Sequence, residues 1–224
     1  MKISLIIPVL NEEKSIGQLL DSLHIQTRKP DEIILVDGGS ADNTLSVISN
    51  KQMQLRVFGK PGLSIAAARN YGVMQATGEI IAMTDAGCIA HKDWFEKIIE
   101  PFSKKNVDIV AGFYRMVGSK PIQKAFAAYL GILPEKYDPN KFLPSARSMA
   151  FRKSIWEKLG GMDTLYDPFY WEDIDLSFRA RKAGYKAPSQ AANQLLKHRI
   201  IAAILGKAMY DREQRLQITA DRVM

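Results

Sequence analysis

Apolar and polar residues follow one another along this chain in two rhythms. Residues 2–10, KISLIIPVL, form a β-branched apolar run, and NEEKSIGQLLDSLHIQ after it sets Ile16, Leu19, Leu20 and Leu23 at helical spacing. The first unit therefore reads as strand, then helix. Asn11 is placed to N-cap that helix, with Glu12 and Glu13 in its first turn, where carboxylates meet the positive end of the helix dipole. The pattern recurs: Ile33 to Val36 is a short apolar run, followed by the turn-rich DGGSADN and a short helix. LRVF is a third strand, LSIAAARNYGVMQA a helix ending before Gly78, and EIIAMTDAG a fourth strand. KDWFEKIIEPFSK is again an amphipathic helix and VDIVAGFYRMV again a strand. This alternation predicts an α/β fold in a single domain, with a mostly parallel sheet flanked by helices.

Beyond residue 118 the rhythm breaks. KPIQKAFAAYLGILPEKYDPNKFLP mixes aromatics and prolines without strand logic, which predicts a short helix inside a long functional loop. SARSMAFRKSIWEKLGG resumes as strand then helix, and WEDIDLSFRARKAG is a helix closed by Gly184. The tail from about Ile200, IIAAILGKAMYDREQRLQ, is apolar early and charged late and reads as a terminal helix.

Composition narrows the function classes. Among the 224 residues there is one cysteine, Cys88, which excludes an internal disulfide framework and a Cys-rich zinc site. A small buried filler is the preferred reading of it, ahead of a nucleophile. The net charge of +7 is dispersed and carries no nucleic-acid motif; an anionic small molecule or an acidic membrane surface suits it equally well. No run approaches the eighteen or so apolar residues of a membrane span, and Met1 to Leu5 has no signal-peptide layout, so the expected location is cytoplasmic.

Polar candidates gather where strands end. Pro8 and Asn11 close the first strand, Asp37-Gly38-Gly39-Ser40 the second, and Asp85-Ala86-Gly87 the fourth. In open parallel sheets the carboxyl edge lines the ligand crevice, so these loops are expected to converge there. Neither G-x-x-x-x-G-K-[ST] nor a G-x-G-x-x-G after the first strand is present, which disfavours kinase-like and Rossmann oxidoreductase chemistry. A crevice lined with acids suits ribose hydroxyls, a base N–H and a divalent metal. Arg69, in AAARN, belongs to that crevice or to a solvated helix face. The acids Glu172, Asp173 and Asp175 cluster at a helix start beside the aromatic run YDPFYW. There they complement the dipole, or one serves as a general base whose pKa is set by partial desolvation. Asp173 and Asp175 cannot share one helix face, and Arg179 is spaced to pair with Asp175.

Taken in order, IIPVLNEE, ILVDGGSADNT, AAARNYG, IIAMTDAGC and WEDIDLSFRARKAGYK closely resemble the family 2 inverting glycosyltransferases of the GT-A fold, over roughly residues 1 to 200. The resemblance implies a Rossmann-like sheet and a catalytic domain over 1–200. Its nucleotide-binding part is about 1–117 and its acceptor and catalytic part about 118–200, with a helical tail over 200–224. It implies that Pro8 and Asn11 shape the nucleotide pocket, that Asp37 bonds the base, that Arg69 lies near the nucleotide or its phosphates, and that Asp85 contacts the ribose or the metal. Asp173 would be the base that deprotonates an acceptor hydroxyl, and Glu172 would orient it or the acceptor. His198, in LLKHRI, would reach the metal or the diphosphate.

The implied partners are a nucleoside-diphosphate-sugar donor, a glycan or lipid-linked acceptor, and Mg²⁺ or Mn²⁺ to neutralise the departing diphosphate. In one respect the chain departs from the pattern: Gly87 stands where the second acid of D-x-D would bind the metal directly, which leaves Asp85 and His198 for that task. Two rivals follow. A degenerate nucleotide-sugar-binding scaffold is suggested by Gly87 and opposed by Glu172 and Asp173. A nucleotidyltransferase would need a Gly-rich basic loop where this chain has NEEKS. FAAYLGILP and KHRIIAAILGK fit a peripheral membrane contact, an amphipathic core helix or a homodimer contact.

Overall fold

Strand β1 (Ile3–Val9) is buried at every position, and its two faces feed two separate cores. Ile3, Leu5, Ile7 and Val9 pack with helix α1 (Ile16–His24), whereas Ile6 packs with the apolar residues of helix α3 (Ile65–Gln75). A strand covered on both faces needs apolar residues at successive positions, which is why KISLIIPVL reads as a run rather than an alternation. The computed structural model describes residues 1–117, 121–130, 144–166, 171–185, 189–190 and 196–199.

Around β1 the main sheet has the order β3-β2-β1-β4-β8-β6-β9. Parallel pairing joins β3 (Arg56–Gly59), β2 (Glu32–Asp37), β1 and β4 (Ile80–Met83). Strand β8 (Met149–Arg152) runs antiparallel to both β4 and β6 (Ile109–Gly112), and β9 (Ser189–Gln190) lies parallel to β6. The expected mostly parallel α/β sheet is present. Helices α2 (Thr44–Ser49), α4 (Trp94–Ile99), α5 (Pro121–Leu130), α6 (Lys153–Leu159) and α7 (Glu172–Lys182) complete the element order. The register pairs Val9 with Asp37 and Ile6 with Met83, so the loops after β1, β2 and β4 leave at one edge. The α7 C-terminus follows expectation, with Gly184 at a φ of 82° and its N–H donating to the Arg181 carbonyl.

Two expectations need correction. Asn11 does not cap α1, which starts at Ile16; instead Asn11 adopts a φ of 55° and bonds to the loop after β2. VDIVAGFYRMV is two strands, β6 in the main sheet and β7 (Tyr114–Val117) in a second sheet of order β5-β10-β7, with β5 (Cys88–Ile89) and β10 (Leu196–Arg199). That smaller sheet had no sequence counterpart, because two of its three strands come from segments too short or too polar to read. The helix foreseen after Lys120 is α5, while the rest of that loop and the tail from Ile200 lie outside the described residues. Among the described residues no helix is long and apolar enough to cross a membrane.

Candidate active site

Helix α3 begins where Ser64 Oγ accepts the Ala67 N–H at 3.2 Å, and it settles closely onto β1 at Gly72. A Cβ at Gly72 would come within 2.5 Å of Ile6 Cγ2, so only glycine permits this approach. Arg69, on the same helix, is thereby drawn into the protein and is only 3% exposed. Its Nη2 donates to Asp85 Oδ1 at 2.6 Å and its Nη1 donates to Glu172 Oε1. The solvated-face reading of Arg69 is therefore set aside. Three candidates far apart in sequence meet on one guanidinium.

Burial pushes the Glu172 carboxyl up; Arg69 works against this, while Asp173 and Asp85 add to it. For Arg69 burial opposes the charge, but Asp85 and Glu172 more than restore it. The guanidinium is thus the fixed charge on which both acids depend.

Asp173 lies buried in the first turn of α7, where the aromatic run hands over to the helix. Its Oδ2 accepts from Ser145 Oγ at 3.0 Å and from the Ala146 N–H at 2.9 Å, and its Oδ1 accepts the Ile174 N–H at 2.8 Å. Ser177 Oγ, one turn on, bonds both the Asp173 and the Pro144 carbonyls, so α7 and the 144–147 segment are tied together. Asp175 faces elsewhere, paired as expected with Arg179 at 2.7 Å, and Arg179 also donates to the carbonyls of Leu159 and Gly161. Arg179 is the structural link between α7 and the end of α6, and Asp175 is its partner on α7. Sequence reading missed Ser145, Ala146 and Arg147. The available signal was their place just before β8, a strand antiparallel to β4 that enters the sheet beside the edge where β4 ends.

The nucleotide-side candidates lie further along that edge. Pro8 is buried in β1 opposite Val36. Asp37 is also buried, and its carboxylate accepts the N–H groups of Gly39 and Ser40 at 3.1 Å and Ser40 Oγ at 2.5 Å. With Gly39 at a φ of 103°, this carboxylate folds its own turn. Asn11 joins that turn to the first loop: its N–H donates to Ser40 Oγ at 2.9 Å and its Oδ1 accepts the Ala41 N–H at 2.8 Å. Glu12, in the same first loop, is repelled by acids of both neighbouring loops. Burial raises its pKa, Ser15 lowers it, and Asp85 and Asp42 raise it further.

Among the described residues, those around Asp85 do not by themselves make a divalent-cation site. Asp85 Oδ1 is engaged by Arg69, Oδ2 faces Arg147 Nε at 3.9 Å, and Gly87 has no donor. Cys88 is buried, and burial with Asp85 nearby pushes its thiol up to about 12, so it is neither thiolate ligand nor nucleophile. Among the described residues no three His, Cys, Asp or Glu side chains group to hold a metal. The backbone of His198 pairs with Cys88 across β10 and β5, which brings it beside the Asp85 loop; its side chain lies outside the described residues.

A mainly parallel sheet with acids and a buried arginine at its carboxyl edge, and a held carboxylate on the following helix, defines a protein of the GT-A fold. The S. aureus TarS fragment 1–349 shares it with a TM-score of 0.69 at 19% identity, over 89% of this chain and 60% of that one. A mannosyltransferase of Pyrobaculum calidifontis, solved with GDP-Man and Mn²⁺, has a TM-score of 0.64 at 24% identity, over 88% of this chain and 56% of its own. The chain belongs to glycosyl transferase family 2, whose model matches residues 4–159. The glycosyltransferase AglE of Haloferax volcanii is 32% identical over 117 residues, 49% of this chain and 38% of AglE. This chain thus spans less than two thirds of the length of each of these proteins.

Proposed function

We propose that this protein transfers a sugar from a nucleoside-diphosphate-sugar to an acceptor hydroxyl, glycan or lipid-linked, with inversion at the anomeric carbon. The observation that carries the reading is the Asp173 carboxylate, held by Ser145 and the Ala146 amide beside the Arg69–Asp85–Glu172 cluster. Inversion requires the acceptor oxygen to attack opposite the leaving diphosphate. The acceptor O–H proton passes to Asp173 as the new C–O bond forms, and the bond from the anomeric carbon to the diphosphate breaks with its electron pair leaving on the diphosphate. One carboxylate is enough for this. Its three hydrogen bonds fix where the base points, so orientation is set before the acceptor arrives.

Glu172 is buried on Arg69 and acts by positioning that arginine and, through it, Asp85. Asp85 is the group for the donor ribose, and the turn organised by Pro8, Asn11 and Asp37 frames the base. The donor of GDP-Man in the Pyrobaculum neighbour supports this class of substrate without naming the sugar used here. A cytoplasmic setting belongs to the same reading. A peripheral membrane contact and a homodimer contact would rest on the tail and the loop after α5, most of which lie outside the described residues.

The test follows the anomeric proton by NMR while the full chain slowly hydrolyses α-linked UDP-, GDP-, dTDP- or CDP-sugars. A first-formed β-anomer from one donor is expected. Release of the α-anomer first, or no turnover of any donor by protein that binds the free nucleotide, would overturn the reading.

A further inference from the structure

Asp85 is bracketed by two guanidinium groups with different commitments. Arg69 is enclosed and bonded to both Asp85 and Glu172. Arg147 has its side chain 34% exposed, its Nε is 3.9 Å from Asp85 Oδ2, and that Nε makes no hydrogen bond among the described residues. The guanidinium lies over the Tyr114 ring at 5.5 Å from its centroid, with Nη1 3.4 Å from Tyr114 Oη, a long contact. Contact with the ring holds the guanidinium beside Asp85, while its Nε, though buried, has no hydrogen-bond partner among the described residues. Arg147 also follows Ala146, whose amide holds Asp173, so one short segment delivers both the held carboxylate and this cation.

A guanidinium is charged at any working pH, and its planar set of N–H donors matches phosphate oxygens two at a time. Gly87, meanwhile, offers no ligand at the position of a second acid. We propose that Arg147 is the diphosphate-binding cation of this site, and that nucleoside diphosphate is bound without a divalent metal. The inference rests on the reading of the site as a nucleoside-diphosphate-sugar transferase. It assigns the charge opposite the leaving group to a side chain of this chain's own loop. The leaving diphosphate takes up the electron pair of the broken bond, and Arg147 stabilises that charge without transferring a proton.

The experiment is calorimetric titration of the full chain with UDP, GDP, dTDP and CDP and with the matching monophosphates, in EDTA and in Mn²⁺. Wild type is compared with Arg147→Met and Arg147→Lys, each checked for folding by circular dichroism. One diphosphate is expected to bind with affinities in EDTA and Mn²⁺ within about threefold. Arg147→Met should weaken it about tenfold to a hundredfold, as expected for loss of charged hydrogen bonds, while changing the monophosphate far less; Arg147→Lys should fall between. Binding that is lost in EDTA, or an equal loss of mono- and diphosphate in Arg147→Met, would overturn the inference and leave the transferase reading standing. Absence of binding by every nucleotide under both conditions would overturn both.

Discussion

Arg69 Nη2 lies 2.6 Å from Asp85 Oδ1, a contact that fastens helix α3 to the loop leaving β4. Because the same guanidinium also bonds Glu172, its removal strands two acids at once, one of them fully buried. Arg69→Met is expected to lower the unfolding free energy by about 3–5 kcal/mol at pH 7, measured by urea titration. The loss should shrink at lower pH. Glu172 already has a raised pKa, and without Arg69 the folded state would take up a proton there before the unfolded chain does, so stability rises as pH falls through that range. A loss that is small, or independent of pH, would mean that Arg69 is not the common counter-charge.

The geometry around Asp173 separates chemistry from binding. Asp173→Asn keeps the shape but removes the proton acceptor, and it is expected to lower turnover by about 10²–10⁴-fold with nucleotide affinity nearly unchanged. Ser145→Ala removes one of the three hydrogen bonds to that carboxylate and is expected to lower turnover by roughly tenfold or more, since a hydrogen bond to a charged group contributes ~1.5–3 kcal/mol. Paired steady-state kinetics and calorimetry distinguish the cases. If Asp173→Asn loses nucleotide binding instead, Asp173 belongs to the donor pocket.

These two clusters show what the sequence could and could not convey. The alternation of apolar runs with helical stripes foretold β1 to β4 and the helices between them, because fully buried parallel strands leave a continuous signature. Strand ends then placed Asp37 and Asp85 at one edge, the residue pattern singled out Arg69, Glu172 and Asp173, and the family resemblance supplied their expected roles. What stayed hidden depended on long-range folding. Ser145 and Arg147 are ordinary polar residues until β8 returns antiparallel to β4 and delivers them beside Asp85 and Asp173. Asn11 misled for a related reason: an asparagine before an apolar stripe suits a helix cap, yet here its side chain meets a loop thirty residues away.

Far from the site, Glu32 anchors the amino ends of β1 and β2. Burial would push its carboxyl up, but donors from Ser4, Thr77 and Arg56 outweigh this and hold it at about 2. A carboxylate held below its ordinary 4.5 stabilises the fold at neutral pH, and that contribution disappears as pH falls from about 4.5 to about 2. Glu32→Gln should cost about 1–3 kcal/mol at pH 7 and flatten the stability profile over that acid window. Thermal melts from pH 2 to pH 7 check it. Parallel profiles for wild type and variant would show that these bonds do not discriminate between the charged and the neutral group.

The position of Gly87 offers a gain-of-function prediction. Gly87→Asp places a second carboxylate two residues after Asp85, which adds negative charge where the donor diphosphate must approach. In EDTA the variant should therefore bind the nucleoside diphosphate more weakly than wild type, because Arg147 now faces an additional competitor for its charge. Adding Mn²⁺ reverses the balance: two acids and the diphosphate give the cation oxygen ligands that the native loop lacks, and affinity should rise by about tenfold, or ~1.4 kcal/mol. Wild type should show no comparable response. Calorimetric titration of both proteins with and without Mn²⁺ measures the difference. If wild type responds to Mn²⁺ as strongly as Gly87→Asp does, the native site already assembles a metal, and Arg147 is not its substitute.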